Sequence, residues 1–358
     1  MSPVKPTMME VATRAGVSQA TVSLVLNGSP GARFSEATRR KVRQAADELG
    51  YRLIGRAQSG PDSDAKAIAF VADEITADPW MALAFEGARE KALEHGYSVT
   101  LAVARGGVIH DDNVLSQFLQ TPLLGFIFGT ILTRKVEPPA ALFQCPSVLV
   151  NCYDQARRLP SVLPGDQEGG RAATERLIRA GSRRIGIING QDGLDATRDR
   201  LRGYRQALAS NDMSFEPDLV YSGNWEPQSG YEGTQRFLAL GTPPDAIYCA
   251  NDMMAVGCYE ALKEAGLSIP QDVAVIGFDN REIAQFMRPP LTTLVLPQYE
   301  MGAAAAELLL DLAGGLKPRH DQIKVECRMI ERESVGTLEA DKAVATIGRS
   351  LGHRRPRP

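Results

Sequence analysis

The chain has 358 residues, 44% of them apolar and 23% charged, and a formal charge of −3. That suits one small and one large globular domain without disulfide or metal staples, and no stretch approaches the roughly 20 apolar residues of a membrane span. Charge is unevenly spread: residues 1–60 carry nine basic and four acidic side chains, +5, which leaves −8 on the rest and points the head, not the body, toward a polyanion.

In chain order, Thr7-Met8-Met9-Glu10 has capping-box spacing, which predicts a helix over Met8–Ala15 with Met8, Val11, Ala12 and Ala15 inward. Gly16 supplies the positive φ that ends it, and Val17 pins the turn. Ser18 caps a second helix, Gln19–Leu26, with Val22, Val25 and Leu26 apolar. The run Asn27-Gly28-Ser29-Pro30-Gly31 reads as a loop. Ser35 caps a third helix reaching Leu49, whose first half is crowded by Arg39, Arg40, Lys41 and Arg43. Two short helices joined by a tight glycine turn, then a third, read as a helix-turn-helix, in which the second helix enters the major groove.

These residues carry a specific resemblance. Glu10-Val11-Ala12, Ala15-Gly16-Val17-Ser18, Thr21-Val22-Ser23 and Val25-Leu26-Asn27, followed by Ser35-Glu36, Thr38-Arg39 and Leu49-Gly50-Tyr51, resemble the head of the lac repressor (LacI/GalR) family at the expected spacing. The resemblance implies phosphate contacts from Thr7, Ser18, Thr21, Ser23 and Asn27, and base reading by Gln19, Ala20 and Leu24. Leu24 departs from the arginine that many members carry. It cannot donate to guanine but can touch a thymine methyl, so a different operator is expected.

In that family the segment after the head forms a hinge helix on DNA. Here residues 53–66 contain Gly55, Gly60 and Pro61. Each glycine costs a helix about 1 kcal/mol and an interior proline about 3 kcal/mol, so a tether is expected and less operator bending with it.

From residue 67 to about 336, β-branched runs alternate with helical patterns. Strands are expected at Ala67–Ala72, Ser98–Ala104, Gly125–Phe128, Ser147–Val150, Ser161–Leu163, Arg184–Ile188, Leu219–Ser222, Ala246–Ala250 and Ala274–Phe278. Helices are expected near 80–95, 112–120, 167–180, 197–211, 226–240 and 252–265. Alternation of this kind means parallel sheet. The count exceeds one simple sheet, so the expected fold is an all-α head plus an α/β body of two doubly wound subdomains, with ligands at the carboxyl ends of strands.

Four stretches of the body are similar to the same family and to the related periplasmic sugar-binding fold: Arg198-Asp199-Arg200 with Gly203-Tyr204; Ala250-Asn251-Asp252 with Ala255 and Gly257; Asp272 to Asp279 followed by Pro289-Pro290-Leu291-Thr292-Thr293; and Arg332 with Ser334. By position, the resemblance implies that Arg200, Asn251 and Asp279 hydrogen-bond an effector on which Trp225 stacks. Arg105 and Asn151, each just after a strand, are further pocket candidates, and Trp80 is a second stacking platform. Such a set suits a sugar or related metabolite: Asp accepts and Arg donates to hydroxyls or a carboxylate, and indole covers a ring face. Asn251 also reads as a helix cap, Asp279 as the cap of a following helix and Trp80 as helix-start packing.

The expected protein is a cytoplasmic effector-gated regulator, a repressor, acting as a homodimer on a near-palindromic operator. The alternative is a solute-binding protein of the periplasmic-binding fold with a vestigial head, which an apolar secretory leader would favour and the N-terminus MSPVKPTMMEVATRAG does not supply. An enzyme is not expected: there is no G-x-S-x-G, H-E-x-x-H, P-loop or G-x-G-x-x-G after a strand. The five cysteines are odd in number and lack C-x-x-C spacing, so neither a disulfide framework nor a metal site is expected, and no cofactor. The expected divisions are 1–52, 53–66, 67–336 and a basic tail, 337–358, without leucine heptads.

Overall fold

The computed structural model describes residues 7–26, 34–49, 67–75, 80–103, 115, 118–119 and 123–336. The expectations for the linker, for the tail, for Asn27 and Arg105, and for most of the helix near 112–120 lie outside them. Two compact units are distinguished, one holding the head helices and the other holding the sheets.

In the head, α1 (Met8–Ala15), α2 (Gln19–Leu26) and α3 (Glu36–Leu49) have the expected bounds. Each start is locally satisfied. The Thr7 hydroxyl accepts from Glu10 N at 3.3 Å, and Glu10 Oε2 accepts from Thr7 N at 2.6 Å. Ser18 Oγ accepts from Thr21 N and Ser35 Oγ from Thr38 N, both at 3.1 Å. Gly16 ends α1 at φ 66°. Val11, Ala12, Val22, Val25, Val42, Ala45 and Ala46 form one small buried cluster. So small a core leaves local caps a large share of the head's stability. Ser18→Ala should therefore cost about 1 kcal/mol. Hydrogen exchange at the Thr21 amide of the full chain should run about fivefold faster, and an unchanged rate would refute the capping role.

The body contains two parallel sheets. The first has the order β11-β5-β4-β3-β1-β2, built from β1 (Ala67–Ala72), β2 (Ser98–Val103), β3 (Leu123–Val136), β4 (Ser147–Asp154), β5 (Ser161–Pro164) and β11 (Gln322–Val325). The second has the order β7-β6-β8-β9, from β6 (Ile185–Asn189), β7 (Val220–Ser222), β8 (Ala246–Cys249) and β9 (Ala274–Ile276). The helices are α4 (Trp80–Glu94), α5 (Asp166–Arg179), α6 (Asp195–Ser210), α7 (Pro227–Leu238), α8 (Asp252–Glu264), the one-turn α9 (Ile283–Phe286) and α10 (Gln298–Ala313). The inner strands β1, β4, β6 and β8 read as buried runs because helices cover both faces of a parallel sheet, whereas β2, β7 and β11 at the edges are more exposed.

The chain crosses between sheets three times. It leaves the first sheet after β5 and returns as α10, packed on β3, β4 and β5. It adds β11 to that sheet, then crosses back as β12 (Met329–Ile330), which pairs antiparallel with β10 (Thr293–Leu294). The sequence patterns above do not include α10, β10, β11 or β12. The last three are 2–4 residues long, too short for an alternation to register. In α10 the run Gly302-Ala303-Ala304-Ala305-Ala306 carries little helical periodicity in apolarity.

β3 differs most from expectation. The strand expected at Gly125–Phe128 runs on to Val136. Gly129 pairs with Val150 and Arg134 with Cys152, so five steps on β3 face two on β4. The surplus forms a bulge at the carboxyl end of the strand, and the bulge builds one wall of the site.

Candidate functional site

The carboxyl ends of β3, β4, β8 and β9 and the first turns of α4 and α6 converge on a cavity of about 120 Å³. Of the seven pocket candidates, Trp80, Asn151, Arg200, Trp225, Asn251 and Asp279 all line it. Arg105 lies outside the described residues. Ile131, Leu132, Thr133, Ala196, Arg281 and Leu296 complete the lining and were not anticipated.

Arg200 is the electrostatic centre. It projects from α6 and is 3% exposed. Its Nε donates to Asp166 Oδ1 at 2.8 Å, one terminal nitrogen donates to the Ala250 carbonyl, and the same nitrogen lies 3.8 Å from Asp279 Oδ1. The guanidinium stacks 3.6 Å from the Phe278 ring centre and 5.5 Å from that of Trp225. Burial works against its charge, but Asp166 and Asp279 outweigh it and hold its pKa above the ordinary value.

Asp279 sits at φ 108° and Asn280 at 55°, so the turn after β9 is backbone that L-residues seldom adopt. It is held from several sides. Asp279 N donates to the Leu294 carbonyl at 2.7 Å. Arg332 donates to Asn280 Oδ1 and to the Leu291 carbonyl, both at 2.7 Å. Arg281 N donates to Asp252 Oδ2 at 2.7 Å. The Arg281 side chain then places its guanidinium 5.0 Å from the Trp80 ring centre and Nε 3.6 Å from Asp279 Oδ2. Asp279 thus does not act as a plain helix cap: its turn aims two charged side chains into the cavity.

Asn251 fills both roles read for it. Its Oδ1 accepts from Met254 N at 2.8 Å, capping α8, while Nδ2 donates to the Trp225 carbonyl at 2.9 Å. That bond braces Trp225 at φ 72°. The indole lies over Gly190, where a Cβ would fall 1.9 Å from a ring carbon. Its Nε1–H is buried without a hydrogen-bond partner among the described residues, a donor available to a bound polar molecule.

Asn151 is committed to the β3 bulge. At φ 56°, its Nδ2 donates to the carbonyls of Thr130 and Ile131 at 2.9 and 3.0 Å, and its Oδ1 accepts from Thr133 Oγ1 at 2.6 Å. It satisfies backbone groups that the bulge takes out of the ladder. Only the second lone pair of Oδ1 is left for anything in the cavity.

Asp252, behind the cavity, is fully buried, with Thr293 Oγ1 donating to its Oδ1 at 2.6 Å. Burial, reinforced by the charge of Asp279, pushes its pKa up to about 8. A carboxyl raised in the folded state contributes stability in full below its ordinary value near 3.8, and that contribution is lost as pH climbs through about 8. Asp252→Asn preserves an acceptor for Arg281 N and a hydrogen-bonding group for Thr293. It should therefore flatten the fall in melting temperature between pH 6 and 9. An unchanged pH profile would show that Asp252 is ionised throughout.

In the head, Thr7, Ser18 and Gln19 are exposed and Thr21 is half-buried. Ser18 Oγ and Thr21 Oγ1 lie 2.9 Å apart at the start of α2. Ala20, Ser23 and Leu24 lie on the same helix. On α3, Arg40, Lys41 and Arg43 are exposed. Among the described residues no helix is long and apolar enough to cross a membrane, and no group of His, Cys, Asp and Glu is placed to hold a metal ion.

The same two parts occur in known proteins. Residues 7–52 match the bacterial regulatory proteins of the lacI family, and residues 174–335 match a periplasmic binding protein-like domain. The chain is 32% identical to the HTH-type transcriptional repressor CytR of Escherichia coli strain K12, over 93% of this chain and 97% of that one. A transcriptional regulator CelR–cellobiose complex shares 31% identity at a TM-score of 0.64, covering 92% of this chain and 99% of that one. The lac repressor dimer bound to operator and the anti-inducer ONPF shares 26% identity at a TM-score of 0.65, covering 93% and 100%. With a helix-turn-helix head and a two-sheet body closing around a polar cavity, the chain belongs to the lacI family of bacterial regulatory proteins: it is a DNA-binding transcriptional regulator.

Proposed function

We propose that this regulator is a cytoplasmic homodimeric repressor whose affinity for a near-palindromic operator is set by a small, sugar-like effector, and that it catalyses no reaction. The observation that carries the reading is the cavity: Arg200, Asp279 and Arg281 face into it beside Trp80 and Trp225. Charged donors and acceptors flanked by two indoles suit a hydroxylated ring, with carboxylate and guanidinium on its edge and indole on its face. Arg200, Asn251, Asp279, Trp225, Trp80 and Asn151 are the proposed effector residues, with Arg105 added from sequence. Asn251 and Asn151 act by holding Trp225 and the bulge.

Thr7, Ser18, Thr21, Ser23 and Asn27 are the proposed phosphate contacts, and Gln19, Ala20 and Leu24 the base readers. The domain divisions proposed are 1–52, 53–66, 67–336 and 337–358. Effector and operator are coupled through the two subdomains and their three crossings, at a typical strength of about 1–3 kcal/mol.

Binding of labelled genomic fragments at two salt concentrations, with and without sugars and nucleosides, tests the reading. A salt-sensitive, fragment-selective affinity that one metabolite shifts by about 5- to 150-fold is expected. Equal affinity for all fragments under every condition would overturn it.

A further inference from the structure

The effector cavity, at about 120 Å³, is small beside the roughly 300–1,000 Å³ of ordinary ligand sites. A second cavity, of about 460 Å³, is lined by neighbouring positions of the chain. Three elements line both. On β3, Thr133 faces the inner cavity and Arg134 and Lys135 the outer. On β4, Asn151 is inner and Tyr153 outer. On α6, Ala196 is inner and Asp195 and Arg198 outer. The β3 bulge makes this division, because it ends at Arg134, where pairing with β4 resumes.

The outer lining carries three cations, Arg134, Lys135 and Arg198, against one carboxylate, Asp195. Arg198 is partly neutralised, by Asp195 and by Asp199 at 3.1 Å. Arg134 gives one terminal nitrogen to Asp73 at 2.9 Å, and its Nε–H is buried with no hydrogen-bond partner among the described residues. Lys135 Nζ donates to a neutral partner, Gln155 Oε1, at 2.9 Å. The sixteen-residue α6 begins here, and its N-cap residue, Leu194, has no side chain able to accept from the first-turn amides. Lys135 and two salt-bridged arginines, set beside a helix start that no side chain caps, favour an anion.

We propose that the effector is an anionic sugar, with its ring in the inner cavity and a phosphate monoester or carboxylate in the outer one against Arg134, Lys135 and Arg198. This rests on the effector-binding reading of the inner cavity. The outer cations are the specificity determinants: neutral sugars fill the inner cavity alone and bind weakly.

Calorimetric titration of the full chain, unmodified and as Lys135→Glu, tests this with glucose, glucose 6-phosphate, glucuronate, ribose, ribose 5-phosphate and inorganic phosphate. Lys135 is exposed, so the variant should fold. The expected result is tighter binding of an anionic sugar than of its neutral parent. In Lys135→Glu that binding weakens by about tenfold or more while the neutral parent is unaffected. The phosphate and uronate arms tell the two anions apart. If no sugar of the panel binds, inorganic phosphate decides: a Lys135-dependent signal supports the outer site, and none overturns it. Equal affinity for neutral and anionic sugars, or anion binding indifferent to Lys135→Glu, also overturns it. Neutral-sugar binding that vanishes in Arg200→Lys would leave the effector-binding reading intact even then.

Discussion

Arg200→Ala is expected to destabilise the protein by about 3–5 kcal/mol and to abolish its response to effector. The guanidinium is 3% exposed and neutralises Asp166, 1% exposed, and Asp279, 6% exposed. Truncation leaves Asp166 buried without the cation that Arg200 supplies, whereas Asp279 keeps Arg281 at 3.6 Å. Asp166 is the more vulnerable, since its Oδ2 already lacks a hydrogen-bond partner among the described residues. The loss comes from the stranded Asp166 rather than from the arginine's own packing, so neutralising it should restore stability. Adding Asp166→Asn to Arg200→Ala should recover about 0.5–3 kcal/mol, the usual coupling between members of one buried network. Arg200→Lys supplies the separating control. It keeps a positive charge between the acids but cannot bond Asp166 and Ala250 while presenting an edge to the cavity. It should therefore fold better than the alanine variant yet still fail to respond to effector. Urea denaturation and ligand-induced thermal shift read the two effects separately. A fully responsive alanine variant would remove Arg200 from the site.

Gly203→Val is the second large effect expected, about 3 kcal/mol or more, at a residue that touches nothing in the cavity. A Cβ at 203 would fall 2.0 Å from the Gln167 carbonyl oxygen and 2.5 Å from Arg171 N. Reciprocally, a Cβ at Gly170 would fall 2.4 Å from the Arg200 carbonyl oxygen. These obstacles are backbone atoms, so the strain cannot be relieved by turning a rotamer. The α5 and α6 helices must separate, and Arg200 rides on α6 while its partner Asp166 begins α5. Gly203→Val should thus lower stability and weaken effector binding together. Gly241→Ala, where no atom of the described residues would lie within 4 Å of the added Cβ, should stay within about 0.5 kcal/mol of the parent. A urea midpoint for Gly203→Val as close to the parent as that control's would show that the helix contact is looser than described.

Much of this protein was legible in its residues. The head could be read to the residue because each of its signals is local: Thr7 and Glu10, Ser18 and Thr21, and Gly16 at φ 66° act within one helical turn. Strand–helix alternation gave the parallel sheets, since a buried parallel strand needs an unbroken apolar run and a covering helix. Arg200, Asn251, Asp279 and Trp225 were indicated by the resemblance to the family, Asn151 by its place just after a strand, and Trp80 as an aromatic at a helix start.

Tertiary structure decided what depends on residues far apart in the chain. It made Arg281 a cavity residue, because Asp252, 29 positions away, holds its amide. It gave the cavity residue Asn151 the further task of bracing a bulge between β3 and β4, and it brought Arg134, Lys135 and Arg198 to one rim. It also set the crossings through β10, β11 and β12, strands too short to carry a period of their own. Local propensity acts over a few residues, whereas charge, packing and backbone satisfaction act through space. The elements could therefore be read along the chain, but the chemistry of the cavity arose only where the two sheets met.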